Sequence, residues 1–91
     1  VNPKMNLITE AEMTQLFSRN LKLLRNGRIP PISQQQLARR LHVDRGLIAK
    51  YESGLLLPSA CLAFNMARYF NIPMESLLAK SISTFREEET H

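Results

Sequence analysis

The sequence has few of the residues that support catalysis, metal binding or covalent cross-linking. It contains one cysteine, Cys61, and two widely separated histidines, His42 and His91. One cysteine excludes an internal disulfide and a thiolate metal site within the chain, and no carboxylate cluster accompanies the histidines. The sequence also offers no nucleophile–base pair, glycine-rich phosphate loop or suitably spaced carboxylates. We therefore expect no enzymatic activity, no metal and no cofactor.

Long hydrophobic runs and a signal sequence are also missing. No apolar stretch approaches the roughly eighteen residues that a membrane span requires. The first ten residues, VNPKMNLITE, lack the basic-then-apolar order of a signal peptide. We expect a cytoplasmic protein that makes no membrane contact. With 91 residues, of which 44% are hydrophobic and 22% are charged, the chain is suited to one globular domain.

Positive charge is concentrated in one part of the chain. Between residues 19 and 50, eight basic residues are opposed by a single acidic residue, Asp44, whereas the whole chain has a net charge of +4. Such a block suits a polyanionic partner. Most charge runs, however, form an ordinary solvated surface. Charge alone does not decide between these two interpretations.

Hydrophobic periodicity and capping residues predict five helices and no strand. N-capping residues are Thr9, which forms a capping box with Glu12, followed by Ser33, Asp44 and Ser59. Pro73 opens the last helix at its first helical position. The predicted helices span about residues 10–26, 34–41, 44–53, 60–70 and 74–80. We expect a domain over residues 9–80, preceded by a flexible segment 1–8 and followed by a tail or short extra helix, 81–91.

The second and third predicted helices form a helix-turn-helix, since both are short and a tight turn joins them. The wider pattern comprises Ser33-Gln34, Leu37-Ala38, Leu41, Val43, Ile48, Tyr51-Glu52, Gly54, Pro58-Ser59, Ala67, Phe70, Ile72 and Leu77. Over residues 16–78 the chain resembles the phage-repressor and Cro family of DNA-binding domains, also called the XRE family. The resemblance implies an all-α, compact five-helix lambda-repressor-like domain. It also implies a repressor-like transcriptional regulator that binds double-stranded DNA in a sequence-specific manner.

In this family the third helix lies in the major groove. If Ile48 and Tyr51 are fixed in the core, the helical period turns other side chains outward. Those that match the base-reading positions of the family are Arg45, Gly46, Ala49 and Lys50. An arginine can donate two hydrogen bonds to O6 and N7 of a guanine. We therefore expect a short code centred on Arg45.

Contacts with the DNA backbone are expected at four other positions. The start of the second helix presents free amide groups and partial positive charge to a phosphate. The residues concerned are Ser33 and Gln34, and the resemblance adds Arg39 and Ser53.

Two further charged residues are assigned a structural role by the resemblance. In the family, the arginine that matches Arg25 pairs with the glutamate that matches Glu52, largely inside the protein. We therefore expect Arg25 and Glu52 to hold the first helix against the third. Loss of one partner leaves the other charge buried without compensation.

The turn Leu55-Leu56-Leu57 departs from the family, which commonly has basic or polar residues there. Some of these leucines can cover the core, but neighbouring side chains diverge, so we expect at least one to be exposed and to form a dimer or partner surface. The resemblance implies a homodimer, at least on DNA, bound to a palindromic operator. The alternative is a protein-interaction module on the same fold, an antitoxin or adaptor, that uses the Leu55–Leu57 turn.

Overall fold

The computed structural model describes residues 7–82, which contain five α-helices and no strand. The helices are α1 (Glu10–Asn26), α2 (Gln34–Leu41), α3 (Arg45–Glu52), α4 (Ala60–Phe70) and α5 (Met74–Ala79). The all-α, five-helix prediction is confirmed. Most of the predicted flexible segment 1–8 and most of the tail 81–91 lie outside the described residues.

Side-chain capping determines where three of the helices begin. Thr9 and Ser33 each form a complete capping box, and the Ser59 hydroxyl accepts a hydrogen bond from the Leu62 amide at 3.1 Å. Two predicted starts differ in detail. Asp44 occupies the N-cap of α3 but makes no side-chain capping hydrogen bond, and Pro73 is the N-cap of α5 rather than its first helical residue.

Three turns depend on residues in the left-handed backbone region. His42 ends α2 with φ 60°, Asn71 ends α4 with φ 58°, and Gly54 has φ 76° after α3. Glycine adopts this region without steric cost, and asparagine and histidine enter it more readily than most other residues. At Gly54 an added Cβ would also lie 3.2 Å from the Gln15 Nε2 atom. The turn that separates α2 from α3 therefore uses a histidine for a conformation that glycine usually supplies.

All five helices contribute side chains to the hydrophobic core. Its fully buried large side chains include Phe17, Leu21, Leu37, Ile48, Met66 and Leu77. The Phe17 and Tyr51 rings pack edge to face with centroids 5.3 Å apart. Since Ile48 and Tyr51 both enter this core, the rotation of α3 about its own axis is fixed.

A buried asparagine joins α1 to the end of α5. The Asn20 side chain is fully buried, and its Nδ2 atom donates to the carbonyl oxygens of Ser76, Leu77 and Lys80 at 3.2, 2.9 and 2.6 Å. These are carbonyls that a helix end leaves without a helical partner. Its Oδ1 atom accepts from the Ile82 amide at 3.2 Å. Asn20 therefore holds the chain after α5 against α1.

Within residues 7–82, no helix combines the length and apolar character needed to cross a membrane. The same residues contain no group of three or more side chains that could hold a metal ion.

Candidate functional site

The outer side of α3 carries the predicted base-reading residues. Arg45, Gly46 and Lys50 are exposed and Ala49 is half-buried, whereas Ile48 is fully buried on the opposite side. Neither basic residue forms an ion pair within residues 7–82. A Cβ added at Gly46 would have no neighbouring atom within 4 Å, so packing inside the protein does not require glycine there. The outer ridge of α3, formed by Arg45, Gly46, Ala49 and Lys50, therefore carries two positive charges without ion-pair partners, and the backbone at Gly46 is accessible between them.

The carboxyl end of α3 is fastened to α1 by an ion pair. Arg25 donates from Nε to Glu52 Oε2 at 2.7 Å and from Nη2 to Glu52 Oε1 at 2.8 Å. The Arg25 side chain is 14% exposed and that of Glu52 only 5%. Hydrogen bonding to Glu52 raises the pKa of Arg25, which keeps the guanidinium charged. This bidentate geometry fixes one end of α3 relative to α1.

The same glutamate also joins the start of α2 to α3. Gln34 Nε2 donates to Glu52 Oε1 at 3.1 Å. Arg25 Nη1 donates to the Ile32 carbonyl at 3.1 Å, just before α2. Three elements therefore meet at Glu52, and Gln34, predicted to contact phosphate, is also part of this network.

Ser33 and Ser53 lie at helix ends and already have hydrogen-bond partners. The Ser33 hydroxyl accepts from the Gln36 amide at 3.0 Å, and the Ser53 hydroxyl donates to the Ala49 carbonyl at 2.7 Å. Both residues are exposed. Each hydroxyl oxygen retains hydrogen-bonding capacity. Arg39, the remaining predicted phosphate contact, is exposed in the last turn of α2.

The three leucines after α3 are not equivalent. Leu55 is 69% exposed, whereas Leu56 and Leu57 are partly buried and pack against the core. This agrees with the expectation that at least one would be exposed. Of the three leucines predicted to form a dimer or partner surface, Leu55 is the most exposed, and Leu56 and Leu57 contact the core.

A family model described as helix-turn-helix matches residues 32–77, which is half of the chain and extends from just before α2 into α5. The chain belongs to the helix-turn-helix family. Within this family, the sequence pattern resembles the DNA-binding domains of the XRE type.

Two known proteins are similar to this helix-turn-helix chain. One is the HTH-type transcriptional activator BcrR of Enterococcus faecalis, 32% identical over 74 residues; the match covers 80% of this chain and 35% of BcrR. The chain thus spans about a third of the length of that relative. The other is a crystal structure described as the hypothetical transcription factor NHTF from Neisseria. It superposes with a TM-score of 0.66 at 21% identity and covers 94% of this chain and 92% of that one. This second likeness supports the fold.

Sequence reasoning missed several residues that build the surroundings of the helix-turn-helix. The buried Ser18 hydroxyl donates to the Glu52 carbonyl at 2.7 Å and so adds a second link between α1 and α3. On α4, Phe64 is 50% exposed and Tyr69 is half-buried beneath the Arg28 guanidinium. Ser18 and Asn20 lie beside the apolar residues Phe17 and Leu21 of α1, and a polar residue in such a position can indicate a buried hydrogen bond.

Proposed function

We propose that this domain binds double-stranded DNA in a sequence-specific manner, with α3 in the major groove, and regulates transcription. The observation that carries the proposal is the division of α3. Ile48 and Tyr51 hold one side in the core, while Arg45 and Lys50 stand exposed and without ion pairs within residues 7–82. A fixed helix with cationic side chains on its outer ridge matches the docking geometry of helix-turn-helix proteins.

Within this proposal Arg45 is the main base-reading residue. It is the first residue of α3, and the amino-terminal residues of a recognition helix lie nearest to the base edges. Two hydrogen bonds from its guanidinium to a guanine discriminate by about 1–3 kcal/mol. Lys50 reads a second guanine or contacts a phosphate, and the small Gly46 and Ala49 let the helix approach the bases closely.

The phosphate contacts that we propose lie at both ends of this reading surface. The free amides of the first turn of α2 face one phosphate, with Ser33 and Gln34 beside them. The hydrogen bond from Gln34 to Glu52 supports this arrangement, because it orients the amide side chain before DNA arrives. Ser53 and Arg39 are proposed to contact further phosphates. Such contacts fix the register of α3 without reading sequence.

Selection of bound sequences from a random duplex pool tests the proposal directly. We expect an enriched palindrome with a guanine at the position that Arg45 reads, and half-sites about 34 Å, one turn of DNA, apart. Affinity for the selected duplex is expected to fall steeply as salt rises, because phosphate neutralisation releases counterions. Recovery of no enriched sequence, together with no retained duplex at low salt, would reject the proposal.

The palindrome follows from a proposed homodimer on DNA. The phage-repressor resemblance favours a repressor, whereas the enterococcal relative is named an activator. The DNA contacts proposed here are the same for both signs of regulation. A reporter gene placed behind the selected operator, with and without the protein, would distinguish a repressor from an activator.

A second candidate function is a protein-interaction module of the antitoxin or adaptor kind. Leu55 is 69% exposed in a turn where the resembled family commonly has basic or polar residues, and this exposure favours it. The two functions can coexist in one domain. An interaction through Leu55 is expected to respond little to salt, in contrast with DNA binding, and to be lost in the Leu55→Ser variant.

A further inference from the structure

A cleft lies between α2, the loop that precedes it and the end of α4. The cleft has a volume of about 530 Å³. Its walls are formed by the loop residues 28–32, by the last turns of α2 and by Tyr69 of α4. This volume lies within the range of about 300–1,000 Å³ that is common for ligand clefts.

Three arginines face this cleft, namely Arg28, Arg39 and Arg40, and none of the described residues that line it is acidic. No ion pair involves these arginines within residues 7–82. The Arg28 guanidinium carbon lies over the Tyr69 ring, 4.8 Å from its centroid, which is a cation–π contact. The N–H groups of a guanidinium in such a contact can still donate hydrogen bonds to a carboxylate.

The cleft also has an apolar part. Ile29 is 99% exposed, which makes it the most exposed large hydrophobic residue in the described part of the chain, and it is followed by Pro30 and Pro31. The two prolines limit the conformations of the loop, because each ring fixes its φ angle. Charge and apolar surface therefore lie side by side on a constrained loop.

None of the residues that line this cleft belongs to α3. The proposed base-reading ridge and the cleft are consequently separate surfaces. Among the residues that line the cleft, only Arg39 is also a proposed phosphate contact. A ligand that binds through Arg28 and Arg40 does not contact the proposed base-reading residues.

We infer that this cleft binds a peptide segment of a partner protein that combines glutamates or aspartates with aliphatic or aromatic side chains. The three arginines supply the charge complementarity, and Ile29, Pro31 and Tyr69 supply contact area for the apolar side chains. A phosphate group matches the arginines but offers no apolar surface to Ile29, which aliphatic or aromatic side chains of a peptide can cover. The combination of both features therefore favours a peptide over a phosphate.

The test uses two labelled peptides and two matched double variants of the protein. One peptide consists of repeated Glu-Glu-Leu triplets, and the other has glutamine in place of every glutamate. Arg28→Gln with Arg40→Gln removes two charges from the cleft, while Arg45→Gln with Lys50→Gln removes two charges from α3. All four side chains are exposed, so we expect both variants to fold. A melting curve of each variant verifies this.

Fluorescence anisotropy is expected to show that the acidic peptide binds the unmodified chain more tightly than the glutamine peptide. The cleft variant is expected to weaken this binding by about tenfold, since two exposed charge pairs are lost, while the α3 variant changes it less than about twofold. Duplex affinity is expected to respond in the opposite way, with the larger loss in the α3 variant.

Three results would overturn the inference. Equal affinity for both peptides would show that the arginines of the cleft do not recognise carboxylates. A loss of peptide binding in the α3 variant that matches the loss in the cleft variant would show that the peptide occupies the DNA surface as a general polyanion. A cleft variant that loses duplex affinity as strongly as the α3 variant, with peptide binding retained, would make the cleft a phosphate site.

Discussion

The two ends of α3 carry charged side chains in opposite environments. At the carboxyl end Glu52 is buried and accepts three hydrogen bonds from side chains of Arg25 and Gln34. At the amino end Arg45 is exposed and forms no ion pair within residues 7–82. A charge that already has its partners is committed to the fold, whereas an exposed and uncompensated charge is available to a ligand. One helix of eight residues therefore both stabilises the domain and carries the recognition surface that we propose.

The hydrogen bonds at the buried carboxyl end of α3 also fix the position of its exposed amino end. Glu52 joins α1, the start of α2 and the end of α3, so α3 cannot rotate or slide without breaking hydrogen bonds in two other elements. Recognition residues held by a rigid framework lose less conformational entropy on binding. The ion pair thus supports the proposed binding surface without being exposed on it.

The largest effect is expected for Glu52→Ala. It strands the Arg25 guanidinium, whose side chain is 14% exposed, and we expect the free energy of unfolding to fall by about 3–5 kcal/mol. The matched control is Glu75→Ala, because the Glu75 carboxylate lies 3.9 Å from Lys80 Nζ with both side chains mostly exposed; its expected cost is below about 0.5 kcal/mol. Denaturant titration followed by circular dichroism measures both. A melting curve of Glu52→Ala that matches the unmodified chain would remove the proposed difference between the two ends of α3.

A smaller effect, of a different kind, is expected for Arg45→Ala. Loss of a bidentate guanine contact should reduce affinity for the selected duplex by about 1–3 kcal/mol. The free energy of unfolding should change by less than about 0.5 kcal/mol, because the side chain is exposed. Gel-shift titration and denaturant unfolding of the same preparation test the two expectations together. Arg68→Ala, at an exposed arginine of α4, serves as the control and should leave sequence preference unaltered.

The leucine turn allows the same comparison between committed and available side chains. Leu55 is 69% exposed, so we expect Leu55→Ser to leave the free energy of unfolding within about 0.5 kcal/mol. Leu57 packs against the core, and Leu57→Ser should cost about 1 kcal/mol or more. Sedimentation velocity then examines the proposed interface. If the sedimentation coefficient and the affinity for an operator duplex of Leu55→Ser both equal those of the unmodified chain, Leu55 is not part of a dimer contact.

Local rules explain which parts of this structure could be predicted from sequence. The starts of α1, α2 and α4 follow from Thr9, Ser33 and Ser59, because each hydroxyl bonds an amide only three residues away. The same rule failed for Asp44, which occupies an N-cap without making the side-chain hydrogen bond. Sequence position alone does not determine which rotamer a capping side chain adopts.

Long-range partners explain what the sequence could not reveal. Asn20 and Leu77 are 57 positions apart, and Gln34 and Glu52 are 18 apart, so neither pair has a periodic or local signature. The family resemblance supplied the pairing of Arg25 with Glu52, because a family pattern contains long-range information that one sequence lacks. It did not supply the cleft at Arg28 and Tyr69, which depends on where this particular loop meets α4.

The smallest expected effect concerns Glu12, an acidic residue that is exposed and held only by local hydrogen bonds, in contrast with Glu52. The Thr9 amide donates to Glu12 Oε1 at 2.9 Å, and this hydrogen bond lowers the pKa of Glu12 below its ordinary value of 4.5. The Glu12 carboxylate therefore binds a proton more weakly in the folded state than in the unfolded state. Its contribution to stability is complete above pH 4.5 and is lost as the pH falls through the lower folded pKa. In Glu12→Gln the amide oxygen keeps the capping box but does not titrate. The melting temperature of the unmodified chain should therefore exceed that of Glu12→Gln slightly at neutral pH, and the difference should shrink in acid. A difference that widens on acidification would mean that the Glu12 carboxylate is not stabilised by the start of α1.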